Sequence, residues 1–231
     1  MINHVRKTVL TVLNKENRGF LTPDQFNSYA KHAQLILFEQ YFSEYARLNT
    51  LKNAKRLTKD HGDKLSVVRA AMNRFNKVST ISQVGGYYIK PSDMYHHLNV
   101  SYSGKEVEYI SPSRQTYLTL SNMSGPSELY PGYCDENDYF YLKPSTLTGD
   151  IKLIYLKTPK DPKWTYNMSL SGEDPLFNPS ASDYQDFELG PEEQTSLVIE
   201  ILKLAGVTIR EPQITQIAAQ ADAVETQKEN V

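Results

Sequence analysis

Residues Asn14–Gln25 have the outline of a calcium loop between two helices, with Gly19 at the sixth position, where an EF-hand needs glycine for its sharp turn. The ligand chemistry fails at two places. Arg18 puts a cation at the fifth position, where an oxygen ligand belongs, and Gln25 stands at the twelfth in place of a bidentate Glu. His96 and His97 are adjacent, and neighbours on a strand point to opposite faces, so the pair cannot hold one metal without a bend. They are expected as surface or interface histidines, with His4 in a helical segment and His61 in a linker. Cys134 lies in Gly132-Tyr133-Cys134-Asp135-Glu136, where the neighbouring acids raise a thiol pKa rather than activate it. As the single cysteine it excludes an intrachain disulfide and a zinc site of several thiolates, and it fits folding in a reducing cytosol. Glu192-Glu193 is explained as a pair of first-turn helix acids. There is no Gly-x-Ser-x-Gly elbow and no phosphate-cradling loop, and Gly85-Gly86 is a turn. These residues assemble no catalytic, cofactor-binding or metal-binding set, so a non-enzymatic protein is expected.

The remaining chemistry is charge. Residues 1–77 carry 14 Lys/Arg against 6 Asp/Glu, and residues 171–231 carry 3 against 12, within a chain of formal net charge −2. Such division concerns partners rather than fold, because surface fields steer and register association. Arg47, Lys52, Lys55 and Arg56, with Lys59, form the densest basic run. They suit a phosphate or an acidic protein surface, but aromatic interleaving and a nucleic-acid reader motif are lacking. Tyr occurs 16 times against 8 Phe, a ring with a polar tip that suits half-buried strands and subunit contacts. No run approaches the length of a membrane span, and Met1–Lys7 lacks the apolar core of a signal peptide.

The elements that position these residues read as helical ends around a β-rich middle. Ile2, Val5, Val9, Val12 and Leu13 give a short amphipathic helix. Thr22, Pro23 and Gln25 spell a capping box with proline at the first helical position, and Leu21 and Phe26 occupy the staple positions. Phe26, Ala30, Ala33, Leu37, Tyr41 and Tyr45 then line one long helix. A basic linker follows, and helix resumes over about 63–76. Strands are expected at 87–89, 95–102, 107–110, 139–142 and 151–156, in a region punctuated by proline. Gly190-Pro191-Glu192-Glu193 starts a helix with the stripe Leu197, Val198, Ile201, Leu202 and Ala205, ending at Gly206. A second helix opens at Glu211-Pro212 with Ile214, Ile217, Ala218, Ala221 and Val224 on one side. The predicted fold is α+β: residues 1–77 helical, 78–190 a β-rich insertion, and 191–231 a helical pair packing on the first helices as a bundle.

The stretch Val9–Asn27, followed by Ala33-Gln34 and Phe38-Glu39-Gln40-Tyr41-Phe42, resembles the N-terminus of a virion protein of crAss-like bacteriophages. Residues 185–224 are similar in plan: a strand with Asp186-Phe187-Glu188-Leu189, an acidic helix start, the run at 197–206 and a final helix. More loosely, the layout is similar to head–tail adaptors of short-tailed phages, and Ile89–Tyr95 resembles their Pro-x-Asp turn into a strand. The resemblance covers the two ends of the chain. It implies a structural ring protein of the virion neck, made in the cytoplasm of a bacterial host. It further implies a dodecameric ring that contacts the portal protein and adjacent ring or tail proteins. Genomic DNA would pass through its channel without sequence-specific binding, and no membrane would be involved.

For such a ring the candidate interface residues are Arg47, Lys52, Lys55 and Arg56 at the basic end and Glu211, Ile214 and Ile217 at the acidic end. A closed ring needs two unlike surfaces on each subunit, and the two ends supply them. The alternative is a soluble, non-enzymatic binding module with a degenerate EF-like N-terminal turn.

Overall fold

The computed structural model describes residues 1–15, 21–54, 59–121, 125–168 and 175–209, and its helices and strands fall into two units. One unit comprises Met1–Arg74 with Pro159–Val231, the other Phe75–Thr158.

The first unit is mainly helical. Its helices are α1 (Ile2–Lys15), α2 (Pro23–Asn53) and α3 (Lys59–Met72), which runs into a 3₁₀ turn at Asn73–Phe75. Ile2, Val5, Val9 and Leu13 of α1 are fully buried, whereas Val12, expected on the same stripe, faces outward. Both halves of the predicted capping box form: the Gln25 N–H donates to Thr22 Oγ1 at 3.2 Å, and the Thr22 N–H to Gln25 Oε1 at 3.0 Å. Helix α2 runs past Tyr45 because Leu48 adds another buried turn. Lys52 therefore belongs to the helix rather than to a linker, and Lys59 opens α3.

The last described helix, α5 (Gln194–Ile209), follows a 3₁₀ turn at Pro191–Glu193. It packs against α1 and α2 through buried Leu197, Ile201 and Ala205, and α3 packs against α2. It passes through Gly206, which was expected to end it, because Gly206 is buried at the packed face. Tertiary packing there outweighs the propensity penalty of about 1 kcal/mol. The helix expected from Glu211 lies outside the described residues.

The sequence placed residues 159–190 with the strands, but they group with the helices. Long-range side-chain bonds account for this. The Trp164 N–H donates to Asn27 Oδ1 at 2.8 Å, and Asn27 Nδ2 returns a bond to the Trp164 carbonyl at 3.1 Å. Buried Gln34 donates to the Lys160 carbonyl at 2.8 Å and accepts from the Glu188 N–H at 2.9 Å. The stretch 186–189, expected as a strand, is irregular, held by these bonds and by a single bridge between Lys163 and Gln185.

The second unit carries eight described strands and one helix. Its strands are β1 (Asn76–Ile81), β2 (Tyr88–Ile89), β3 (Met94–Tyr102), β4 (Lys105–Glu106), β5 (Glu108–Tyr109), β6 (Gly132–Glu136), β7 (Tyr139–Lys143) and β8 (Ile151–Lys157). Helix α4 (Pro112–Leu120), not foreseen from the sequence, starts with proline at its first turn. One sheet has the order β1-β8-β3-β4 and the other β2-β7-β6-β5. Ile151, Leu153 and Tyr155 of β8 alternate into a core shared with Tyr88, Tyr133, Phe140 and Leu142 of the other sheet. The β3–β4 hairpin turns on Ser103 and Gly104, both at positive φ, which matches the twist of the flanking strands. Two further strands, β9 (Tyr166–Met168) and β10 (Pro175–Phe177), pair antiparallel within the helical unit.

Candidate functional site

The predicted basic end maps partly onto the far half of α2. Arg47 is held by Glu44 one turn back, with Nε to Oε2 at 2.7 Å and Nη2 to Oε1 at 2.6 Å. This fork raises the guanidinium pKa, the bond to Glu44 being the main cause. Lys52 is exposed in the last turn. Five residues apart on one helix, Arg47 and Lys52 point about 140° from each other, so α2 does not bring them to one spot. Lys55 and Arg56 lie outside the described residues, as do Glu211, Ile214 and Ile217.

The helix-start acids are paired. Glu192 binds Arg74 at 2.7 Å, and Glu193 accepts from the Tyr41 hydroxyl. Backbone bonding at the helix start and Arg74 together hold the Glu192 carboxyl below its usual range. Gln25, the twelfth position of the calcium-like outline, spends its side-chain oxygen on the capping box.

The histidine pair departs from the alternation expected of a strand. Register shifts between Met94 and His96 and between His97 and Asn99 break the ladder of β3. The two imidazoles therefore stack, with centroids 5.3 Å apart and planes 25° apart. His97 also lies edge-on to Tyr133 and Phe140, at 5.8 and 5.6 Å. Its Nδ1 is 3.6 Å from Asp135 Oδ2, and Lys90 holds the other oxygen of the same carboxylate. Among the described residues no group of three His, Cys, Asp or Glu side chains converges to hold a metal.

Burial pushes the His97 pKa down, and His96 and Lys90 add to this against the opposing pull of Asp135. A histidine depressed in the fold binds a proton more readily when unfolded. Its stabilising share is complete above the unfolded value of about 6.5 and is lost as pH falls from there toward the folded value. His97→Asn is therefore expected to flatten the fall of the denaturation midpoint between about pH 7 and 5, as urea unfolding at several pH values would read. An unchanged slope contradicts this assignment.

Cys134 is fully buried, and burial is the main cause raising its thiol pKa; the sequence had assigned that role to the acids. Burial and the neighbouring Asp135 push the Tyr133 hydroxyl up to about 12, so it stays protonated.

One surface was not foreseen. An open groove of about 690 Å³ runs between β3, β4, β5 and the segment leading into β6. Its walls include Leu98, Tyr109, Leu129, Tyr130 and Tyr133, with Lys105, Glu106 and Glu108 among its polar groups. Tyr109, Leu129 and Tyr130 are at least half exposed. Aromatic walls with hydroxyl tips are the composition of protein contact surfaces. The tyrosine excess hinted at such a surface, but the groove joins stretches that nothing in the sequence links.

No protein-family model matches the chain, and no curated protein matches it. The fold is mixed α+β, and among the described residues no helix is long and apolar enough to cross a membrane.

Proposed function

We propose that this is a non-enzymatic structural protein that forms a ring in the neck of a bacteriophage virion, between portal and tail. In this reading the helices of the two ends form an adaptor-like bundle and the β-rich segment between them is an insertion. Copies close into a dodecameric ring around a channel for the genomic DNA. The work is mechanical: the ring adapts the portal to the tail and helps keep the channel sealed.

The observation that carries the reading is the division of charge along the chain, 14 Lys/Arg against 6 acids in residues 1–77 and 3 against 12 in residues 171–231. A heterologous contact that closes on itself needs two unlike faces on each subunit. The resemblance of both ends to a virion protein of crAss-like bacteriophages supports the same reading. So does the aromatic groove, a surface suited to protein rather than to a small polar substrate.

Neutralising Arg47, Lys52, Lys55 and Arg56 to Gln together is expected to weaken ring assembly and flatten its salt dependence, read by sedimentation across ionic strength. Arg47 already has a partner in Glu44, so the three other positions carry most of the change. Assembly unchanged at every ionic strength contradicts the electrostatic contact. A chain monomeric at all concentrations and absent from particles points instead to a soluble binding module.

A further inference from the structure

Arg6 is the anomaly of the helical unit. It lies in α1, is only 9% exposed, and places its Cζ 3.8 Å from the centroid of the Trp164 ring. The platform beneath it is fixed. Trp164 is buried, its Nε1–H donates to Asn3 Oδ1 at 3.1 Å, and Asn27 clamps its backbone. Tyr166 and Phe177 stack on it at 5.5 and 5.9 Å.

Among the described residues this cation has no anion. Arg6 makes no hydrogen bond or ion pair with any of them, and its Nε is buried without an acceptor. Burial lowers its pKa, and no carboxylate among the described residues acts to raise it. Three more exposed cations of the same unit are paired: Lys31 with Asp161, Arg74 with Glu192, and Lys163 with Asp183. Buried charges are ordinarily the ones that find partners, because desolvation without compensation is costly. The cation–π contact offsets part of that cost, but it leaves the in-plane Nε–H without an acceptor among the described residues.

We infer that Arg6 on its Trp164 platform is the receptor for a carboxylate supplied by residues 210–231 of a second copy of this chain. The inference rests on the ring reading and names one of its contacts. A guanidinium fork takes a carboxylate through two parallel bonds, as Arg47 takes Glu44 in this same molecule. The acidic third of the chain is the source of opposite charge. Its described acids are already engaged at home: Asp183, Asp186, Glu188, Glu192, Glu193 and Glu200 each bind a partner in their own chain. Of its six other acids, Glu173 and Asp174 fall in the short stretch between β9 and β10, whereas Glu211, Asp222, Glu225 and Glu229 follow α5, in a stretch of 22 residues whose length at full extension, about 70 Å, is enough to reach a neighbouring copy.

Trp164 is the only tryptophan of the chain, so its emission reports on the site directly. The test follows emission and sedimentation of the full chain over a concentration series. Three variants are compared: Arg6→Met, Arg6→Lys, and Glu211→Gln, Asp222→Asn, Glu225→Gln and Glu229→Gln combined. The wild-type chain is expected to associate with a matching change in emission. Arg6→Met and the combined variant are each expected to weaken association by roughly thirty-fold or more and to abolish the emission change, as loss of one partner of a desolvated charge pair does. Arg6→Lys keeps the charge without the fork and should fall between. The combined variant changes none of the buried residues of the described core, so it decides the matter if Arg6→Met does not fold.

Wild-type-like association by a folded Arg6→Met chain overturns the inference. So does constant emission of the wild-type chain at all concentrations, or the same emission change produced by sodium acetate in the monomer. About a dozen copies per particle alongside normal assembly of Arg6→Met leaves the ring reading standing and removes this contact. Tail-dependent emission changes in a chain absent from particles do the reverse.

Discussion

Phe140→Ala is expected to destabilise the β-rich unit by about 3–5 kcal/mol, the range for removing a fully buried phenyl ring. Phe140 is completely buried in β7, opposite Tyr88 on one side and Asp135 of β6 on the other. Its ring meets His97 and Tyr133 edge-on and lies 5.0 Å from Lys90 Nζ. The truncation thus opens a cavity where the two sheets share their core and removes the apolar neighbour that keeps water from His97. Two readouts follow. Urea denaturation should show the loss of stability, and an NMR titration should show the His97 pKa returning upward toward its ordinary value. A loss below about 1 kcal/mol would mean the site collapses around the cavity, which contradicts a tightly packed core shared by the two sheets.

Asp186→Ala is expected to cost the helical unit about 2 kcal/mol at neutral pH, as for hydrogen bonds to a charged group. Asp186 joins two distant ends of the chain. Its Oδ1 accepts from the Ile2 N–H at 2.8 Å and from the Phe187 N–H at 2.9 Å, and its Oδ2 binds the Met1 ammonium at 2.8 Å. It therefore serves as the N-terminal cap of α1 from far along the sequence. Burial pushes its carboxyl pKa up, but the ammonium and the two backbone donors outweigh this and hold it below the usual carboxylate range. A carboxylate depressed in the fold contributes stability above its unfolded value of about 3.9, and that share is lost as pH falls through the folded value. The side chain is 36% exposed, so solvent screening places the cost toward the low end for hydrogen bonds to a charged group. The gap between wild type and variant should close as pH drops below about 4, and a gap constant with pH contradicts the assigned role.

What the sequence revealed of the fold was local. The Thr22–Gln25 capping box, the α1 stripe from Ile2 to Leu13 apart from Val12, and the Gly85-Gly86 turn are written within a few residues and form as expected. Strand β1 escaped notice because Asn76–Ile81 is largely exposed and lacks a clear apolar alternation. Strand β6 was hidden by its acids, since Asp135 and Glu136 mimic a turn. Helix α5 overran Gly206 because a buried packing face outweighs one residue's propensity. The grouping of 159–190 with the helices was illegible for a different reason: it depends on Asn27 and Gln34 reaching the backbone of residues more than a hundred positions away.

The candidate sites divide the same way. Two helix-start acids and an exposed Lys52 can be read from the sequence, but the Arg74 and Tyr41 that bind those acids lie more than a hundred positions away. The stacking of His96 on His97 cannot, because it follows from register shifts in β3 that only pairing with β8 defines. The groove at Tyr109 and Tyr130 requires β3, β5 and the approach to β6 to meet. Arg6 flanks an apolar stripe and reads as one more surface cation until Trp164 is placed against it.

The claim that this chain builds a ring in the virion neck is tested most directly by its copy number in purified phage particles, measured by quantitative mass spectrometry against the capsid protein. The account gives a fixed value near a dozen per particle. Absence from particles would contradict it.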